Sequence, residues 1–430
     1  MSATRQTGHF LGLPTTLVAV AAMLVVTPGG FGRHAHAEDD VVVEDMGPMS
    51  SHQTSTIESL TPAQAEKLVA DFVPTALEVE VRLGMFVTDP QCLILNGLKS
   101  LDAKTAAVLA AGWKGGIMLG GLTSLDVDAA RALATHDRAA RGGNLSLFGL
   151  KTLDAATAKV LAETRSWDGI LSCLTTLEAE AAAALAAFKG ANLYLDGLTE
   201  ISQEVADALG TCAALNLHLG GVTSLSAAAA SALARFGRDG SSLHLTGLTT
   251  LDAESATLLT ASKAWTGQLP KLERLDAATA AALVKFANAK RMPVMSLGGL
   301  TRLDGETARA LATFKDGFLN VSGLTSLSVD SAKALAGCDA WNGLLPEITT
   351  LDSPDSVAIA AALAARKGPL RLSNLKKVSP KTLTALLEKR DVDIPLIETL
   401  ELIPEPDGSL TNDDFVIPEG FRQRRPPQGP

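Results

Sequence analysis

Apolar residues recur along this chain in two alternating rhythms. Short runs of the form Leu-x-Leu, as in LSLFGL (145–150) and LYLDGL (193–198), alternate apolar and polar positions and predict strands with their leucines turned inward. A segment follows in which alanine and leucine return at helical spacing, as at Ala106 and Leu109 or Ala158 and Leu161. The pair of rhythms then starts again. With the last leucine of the strand motif as pivot, copies fall at Leu98, Leu122, Leu150, Leu174, Leu198, Val222, Leu248, Leu272, Leu300, Leu324, Ile348 and Leu375. The intervals are 24, 28, 24, 24, 24, 26, 24, 28, 24, 24 and 27 residues. A period in this range is too short for two-helix repeats and fits coils of one strand and one helix.

Between each strand and its helix stands a polar residue: Asp102, Asp126, Asp154, Glu178, Ser202, Ser226, Asp252, Asp276, Asp304, Ser328, Asp352 and Ser379. Eleven of the twelve are Asp or Ser, whose side-chain oxygens accept hydrogen bonds from the free amides of a first helical turn. The column is expected to cap helices rather than to form a row of catalytic carboxylates. Strand, helix and parallel strand in one sheet imply right-handed crossovers. The expected fold is therefore α/β, a right-handed solenoid with a parallel sheet on its concave side and short helices outside.

These residues resemble an atypical leucine-rich repeat, of the GLTSL type seen in secreted bacterial proteins, over residues 93 to about 402. The match rests on the Leu-x-Leu strand, the period and the one-helix return. The usual asparagine ladder is missing, and Gly occupies eight of the twelve sites before the pivot. The resemblance implies binding without naming a ligand.

The flanks refine the picture. One arginine in MSATRQTGHF, the largely apolar Leu11 to Val26 and the small-x-small site Ala35-His36-Ala37 predict a signal peptide over 1–37. Residues 38–56 are expected to be a disordered acidic linker, and 57–92 an N-terminal cap opened by Thr61 and Pro62. Twelve strand-helix repeats plus a closing strand fill 93–402, and 403–430 form a disordered proline-rich tail. The mature chain is thus expected to be extracytoplasmic (periplasmic, envelope-associated or secreted), without a membrane span.

Charge and cysteines narrow the partners. Loss of residues 1–37 removes Arg5 and Arg33 and no acid, taking the formal charge from -10 to -12. Without basic clusters such a chain is a poor match to nucleic acid. Cys92, Cys173, Cys212 and Cys338 suggest two disulfides by parity, but coil stacking separates Cys92 from Cys173 and Cys212 from Cys338. Those separations are roughly 14 and 24 Å, beyond the ~7 Å a bridge tolerates. Most are expected to be reduced core residues.

Three coils depart together, with strands ILSCL (170–174), QLPKL (268–272) and LLPEI (344–348), each preceded by Trp-x-Gly at Trp167, Trp265 and Trp341. This predicts local core repacking, with bulges or weakened pairing at Pro270 and Pro346, which cannot donate to a ladder. The longer intervals are expected to form loops at 136–144 and 286–294.

No nucleophile elbow, phosphate loop, dinucleotide fingerprint or zinc motif is present. Candidate chemistry therefore lies in columns of outward residues. One runs Ile94, Met118, Ser146, Ile170, Tyr194, His218, His244, Gln268, Ser296, Asn320, Leu344, Arg371, and the next passes through Asn96, Phe148 and Asp196. Tyr194, the sole tyrosine, joins His218 and His244 on consecutive strands with Asp196 beside them. Together with Gln268 and Asn320 they form the candidate binding patch. Two histidines make an incomplete zinc set, so no metal or other cofactor is expected. The overall reading is a monomeric, non-enzymatic exported scaffold that binds a protein or glycan through its concave face. A structural envelope spacer is the alternative, with a hydrolase centred on Tyr194, Asp196, His218 and His244 behind it.

Overall fold

The computed structural model describes residues 51–72, 92–136 and 144–405, all within the unit Met46–Pro430. The predicted signal peptide, most of the acidic linker, residues 73–91 of the cap, the loop 137–143 and the tail beyond 405 lie outside the described residues. The described chain is α/β, with strands of two or three residues alternating with helices and assembling into short parallel sheets.

Strand pairing follows chain order as far as residue 320, beyond which the strands alternate between two ladders, Thr350–Leu351 with Lys377–Val378 and Glu401–Leu402, and Leu370–Arg371 with Val392–Asp393. Leu93–Ile94 pairs with Ile117–Met118, which pairs with Leu145–Ser146. Asn192–Tyr194, Asn216–His218 and Ser242–His244 form a second sheet, and Val294–Ser296 with Phe318–Asn320 a third. In every case leucine-column residues meet their own kind, as at Leu193↔Leu217↔Leu243. These leucines, the pivots and the apolar stripes of the helices are fully buried together in one core. Consecutive helices pack against each other.

The glycine before the pivot now has a cause. A β-carbon on Gly121 would collide with the carbonyl oxygens of Asn96 and Leu98, and one on Gly149 with those of Gly120 and Leu122. In these repeats the turn nests on the backbone of the preceding one, leaving no room for a β-carbon, whereas Cys173, Lys271, Glu347 and Asn374 stand at this site in the other four.

Ten residues of the polar column cap their helices through a side-chain bond, from Asp102 accepting Lys104 N and Thr105 N to Ser379 accepting Thr382 N. Glu178 holds the cap position without such a bond. Asp352 departs: the next helix starts at Ser356, and its cap is Asp355. Ser353 and Pro354 intervene, and the Ser356 amide donates to the Ser353 carbonyl in a preliminary turn. A second column accompanies the caps. The hydroxyls of Thr105, Thr157, Ser255 and Thr307 are buried and reach the carbonyls of Leu60, Leu125, Leu225 and Leu275 in the preceding coil, at 3.3 to 3.5 Å.

The sheets break where the Trp-x-Gly coils stand. Gly169, Gly267 and Gly343 have φ of 79°, 67° and 73°, the left-handed region that disfavours other residues. The bulge-like turn splits the pairing. Toward the preceding coil the partner is tryptophan, at Leu145↔Trp167, Leu243↔Trp265 and Leu319↔Trp341. Toward the following coil, Ile170 bridges Tyr194 and Leu344 bridges Arg371. Weakened pairing was expected from Pro270 and Pro346, yet the coil at 170 has no proline and breaks as well. The shared left-handed glycine is the cause. Each indole is buried against a side chain from the next coil, Trp167 on Phe188, Trp265 on Phe286 and Trp341 beneath the Arg366 guanidinium. Their indole N–H groups have no hydrogen-bond partner among the described residues, so packing alone holds the rings.

Three further expectations change, and the one for the cysteines holds. Residues 286–290 extend the helix Ala277–Lys290 instead of forming a loop, because Phe286 and Ala287 continue its buried stripe; Arg291, at φ 50°, ends it. The last residues of the acidic linker are ordered: Ser51–Thr54 is helical, and Thr54 is buried with its hydroxyl donating to the Ile94 carbonyl at 2.8 Å. The tail begins packed, since buried Glu405 accepts from Lys381 N at 2.6 Å. Cys92, Cys212 and Cys338 are buried core residues, whereas Cys173 is exposed because it occupies the outward turn site that glycine fills in eight repeats; no disulfide joins any of them.

Gly267→Ala should lower stability by about 1–3 kcal/mol, from the left-handed backbone and crowding against Phe286. Gly337→Ala, with no neighbour closer than 3.6 Å, should stay within about 0.5 kcal/mol. Urea denaturation of both variants checks the contrast.

Candidate binding face

The buried leucines at the centres of strands Asn192–Tyr194, Asn216–His218 and Ser242–His244 face the helices, so alternation turns Tyr194, His218 and His244 to the opposite side of the sheet. Parallel register then brings the three rings together. Tyr194 and His218 stack with centroids 4.1 Å apart and planes 21° off parallel; His218 and His244 stack at 4.3 Å and 2°. At the start of these strands Asn216 Nδ2 donates to Asn192 Oδ1 at 2.8 Å. An asparagine pair thus exists here, at a site other than the turn where leucine-rich repeats usually carry one.

Asp196 lies two residues beyond Tyr194, and its Oδ1 accepts from Gly220 N at 2.6 Å. Asn96 makes the same bond to Gly120 N at 2.9 Å, again 24 residues along the chain. The bond therefore needs an oxygen and not a charge. A β-carbon on Gly220 would lie 2.7 Å from Asp196 Oδ1 and 3.2 Å from Thr246 Oγ1, so these two groups flank a strip of bare backbone.

Burial pushes His218 down to about 4, and the neighbouring His244 adds to the effect. Burial also lowers His244, opposed by the Asp196 carboxylate. Tyr194 is raised by burial and then by Asp196. Near pH 7 the stack is uncharged. Among the described residues none of its polar ring atoms has a hydrogen-bond partner, so these edges face solvent. Parallel imidazole planes direct their nitrogen lone pairs side by side and not toward one point, and a zinc ion needs three or four converging ligands. Among the described residues no three His, Cys, Asp or Glu side chains are grouped to hold a metal ion.

Gln268 and Asn320 do not join the stack. The partner of Leu243 is Trp265, so the column runs from His244 to Thr266. Gln268 Nε2 instead donates to Val294 O at 2.8 Å. Asn320 pairs with Ser296 in another sheet, and its Oδ1 accepts from Ser322 N at 3.0 Å in its own turn. By the same register, Asp168 stands beside Ser146 and Asn342 beside Asn320. Reading every coil from its Leu-x-Leu motif missed Asp168, Thr266 and Asn342. The signal was the middle residue of Trp-x-Gly. Asp168 is notable among them: burial raises its carboxyl to about 6, although Ile170 N donates to it at 3.0 Å.

No family model matches the chain, and no curated protein matches it. Among the described residues no helix is long and apolar enough to cross a membrane.

The two shifted groups have opposite consequences for stability. His218 is held below its ordinary 6.5, so its contribution is complete above that value and is lost as pH falls toward about 4. Asp168 is held above its ordinary 3.8, so its contribution is present below that value and is lost as pH rises toward about 6. In urea melts across this window, His218→Phe should flatten the loss of stability on acidification and Asp168→Asn should steepen it. An unaltered slope in either variant would contradict the assignment.

Proposed function

We propose that this protein is an exported, non-enzymatic repeat scaffold that binds a protein or glycan through the strand face carrying Tyr194, His218 and His244. In this reading the coils form a right-handed solenoid of leucine-rich-repeat type. Its parallel sheet lines the concave side, its helices lie outside, and residues 1–37 direct it out of the cytoplasm as a monomer. The fold part is supported by strands that pair in chain order with like residues in register. Export is supported by the apolar run and the Ala35-His36-Ala37 site.

The observation that carries the binding reading is the ring stack itself. It contributes little to the leucine core, leaves its hydrogen-bonding edges toward solvent and is the one run of aromatic rings in an outward column otherwise built of small, aliphatic or amide residues with Asp168 and Arg371. Clustered polar aromatics on an open face are a frequent ingredient of recognition surfaces. The two imidazoles stack on each other and on a tyrosine instead of pairing with a nucleophile, which favours binding over catalysis.

The full mature chain, used as bait on envelope extract with mass-spectrometric identification, should capture a partner. The His218→Ala/His244→Ala chain should lose it with an unchanged melting temperature. Retention by the double variant would sink this face as the binding surface, and concentration-dependent self-assembly in sedimentation would favour a spacer instead.

A further inference from the structure

The geometry points to a subsite for an uncharged saccharide, built on Tyr194, His218, His244, Asp196 and Thr246 above the bare backbone of Gly220. It rests on the binding-face reading and names the class of ligand that face takes.

Four observations carry it. First, the groups presented are a phenol, two neutral imidazoles and an aliphatic hydroxyl, all of which both donate and accept. Saccharide hydroxyls have the same double capacity, so every edge of the stack can be satisfied in either direction. Second, Asp196 carries a charge that its structural bond does not require, since Asn96 makes the equivalent bond without one. With Oδ1 held by Gly220 N, the second oxygen has no hydrogen-bond partner among the described residues and is left to accept from ligand hydroxyls. Third, a β-carbon at Gly220 would meet Asp196 Oδ1 at 2.7 Å and Thr246 Oγ1 at 3.2 Å, so these two oxygens converge above the Gly220 backbone, close enough for one sugar resting over them to reach both. Fourth, protein interfaces draw most of their energy from a cluster of apolar, aromatic or arginine anchors buried at their centre, and of these the face carries Tyr194 alone. The exposed large apolar side chains of the described chain are Val294, Phe318, Val357 and Leu396, all on other coils. The carboxylate also disfavours an anionic sugar, and the uncharged phenol, imidazoles and hydroxyl around it match the hydroxyls of a neutral one.

Tyr194 is the only tyrosine, so ring-labelled tyrosine reports on this subsite through a single NMR signal. The full mature chain would be titrated with neutral oligomers of glucose, mannose, galactose and N-acetylglucosamine, and with an oligogalacturonate. At least one neutral oligomer should move the Tyr194 signal saturably, and the oligogalacturonate should not. Asp196→Asn keeps the bond to Gly220 N and should weaken that binding about tenfold or more, with an unchanged melting temperature. If no neutral oligomer shifts the signal, or if Asp196→Asn binds as well as the parent, the saccharide assignment is overturned. Should a protein fraction shift Tyr194 where no saccharide does, the assignment falls while the binding face stands. Should neither shift it, both fall.

Discussion

The structure depends on one recurrent backbone hydrogen bond. The amide of the second leucine in a strand donates to the carbonyl of the middle residue in the next coil: Leu95 to Met118 at 2.8 Å, Leu195 to His218 at 2.9 Å, Leu219 to His244 at 2.9 Å, Leu297 to Asn320 at 2.8 Å. This bond sets the register. A slip of one residue would turn every leucine out of the core and every polar residue into it. Because the apolar and polar sets alternate so cleanly, burial and hydrogen bonding favour the same alignment.

Features that look independent in the chain follow from that alignment. Glycine precedes the pivot because the turn rests on the backbone of the coil before it. The cap residues start helices at the same level in successive coils, and the hydroxyls of Thr105, Thr157, Ser255 and Thr307 tie one helix start to the turn before it. Local propensity, capping and packing thus agree, as a sequence that specifies one structure requires. The Trp-x-Gly coils are the exception. A left-handed glycine gives each of them one register toward the preceding strand and another toward the following one, and a buried tryptophan fills the space beneath.

The stack of Tyr194, His218 and His244 sits between two such breaks. Three rings follow one another at strand spacing because three regular repeats do, and the run of rings ends after His244 because the register set by Trp265 puts Thr266 next in the column. Partial burial disfavours the charged form of both imidazoles, aided at His218 by His244 and opposed at His244 by Asp196, so the face offers hydrogen-bonding edges beside a single carboxylate. The face therefore offers polar geometry more than charge or apolar area.

The sequence by itself determined whatever is periodic: the strand and helix of each coil, the buried leucines, ten of the twelve caps and the adjacency of Tyr194 to His218 and His244. Each of these rests on contacts between neighbours separated by one repeat, so a regular pattern carries the information. Only the tertiary structure decided what the irregular coils do. The left-handed turns at Gly169, Gly267 and Gly343 moved the column from Ile170, Gln268 and Leu344 to Asp168, Thr266 and Asn342 on one side, which separated Gln268 and Asn320 from the stack. The helix extends to Lys290 because Phe286 packs on Trp265 of the preceding repeat, and the cap moves to Asp355 because an extra turn at Ser353 precedes the helix. A backbone dihedral or an extra turn is chosen by what packs against it, and that neighbour belongs to another coil.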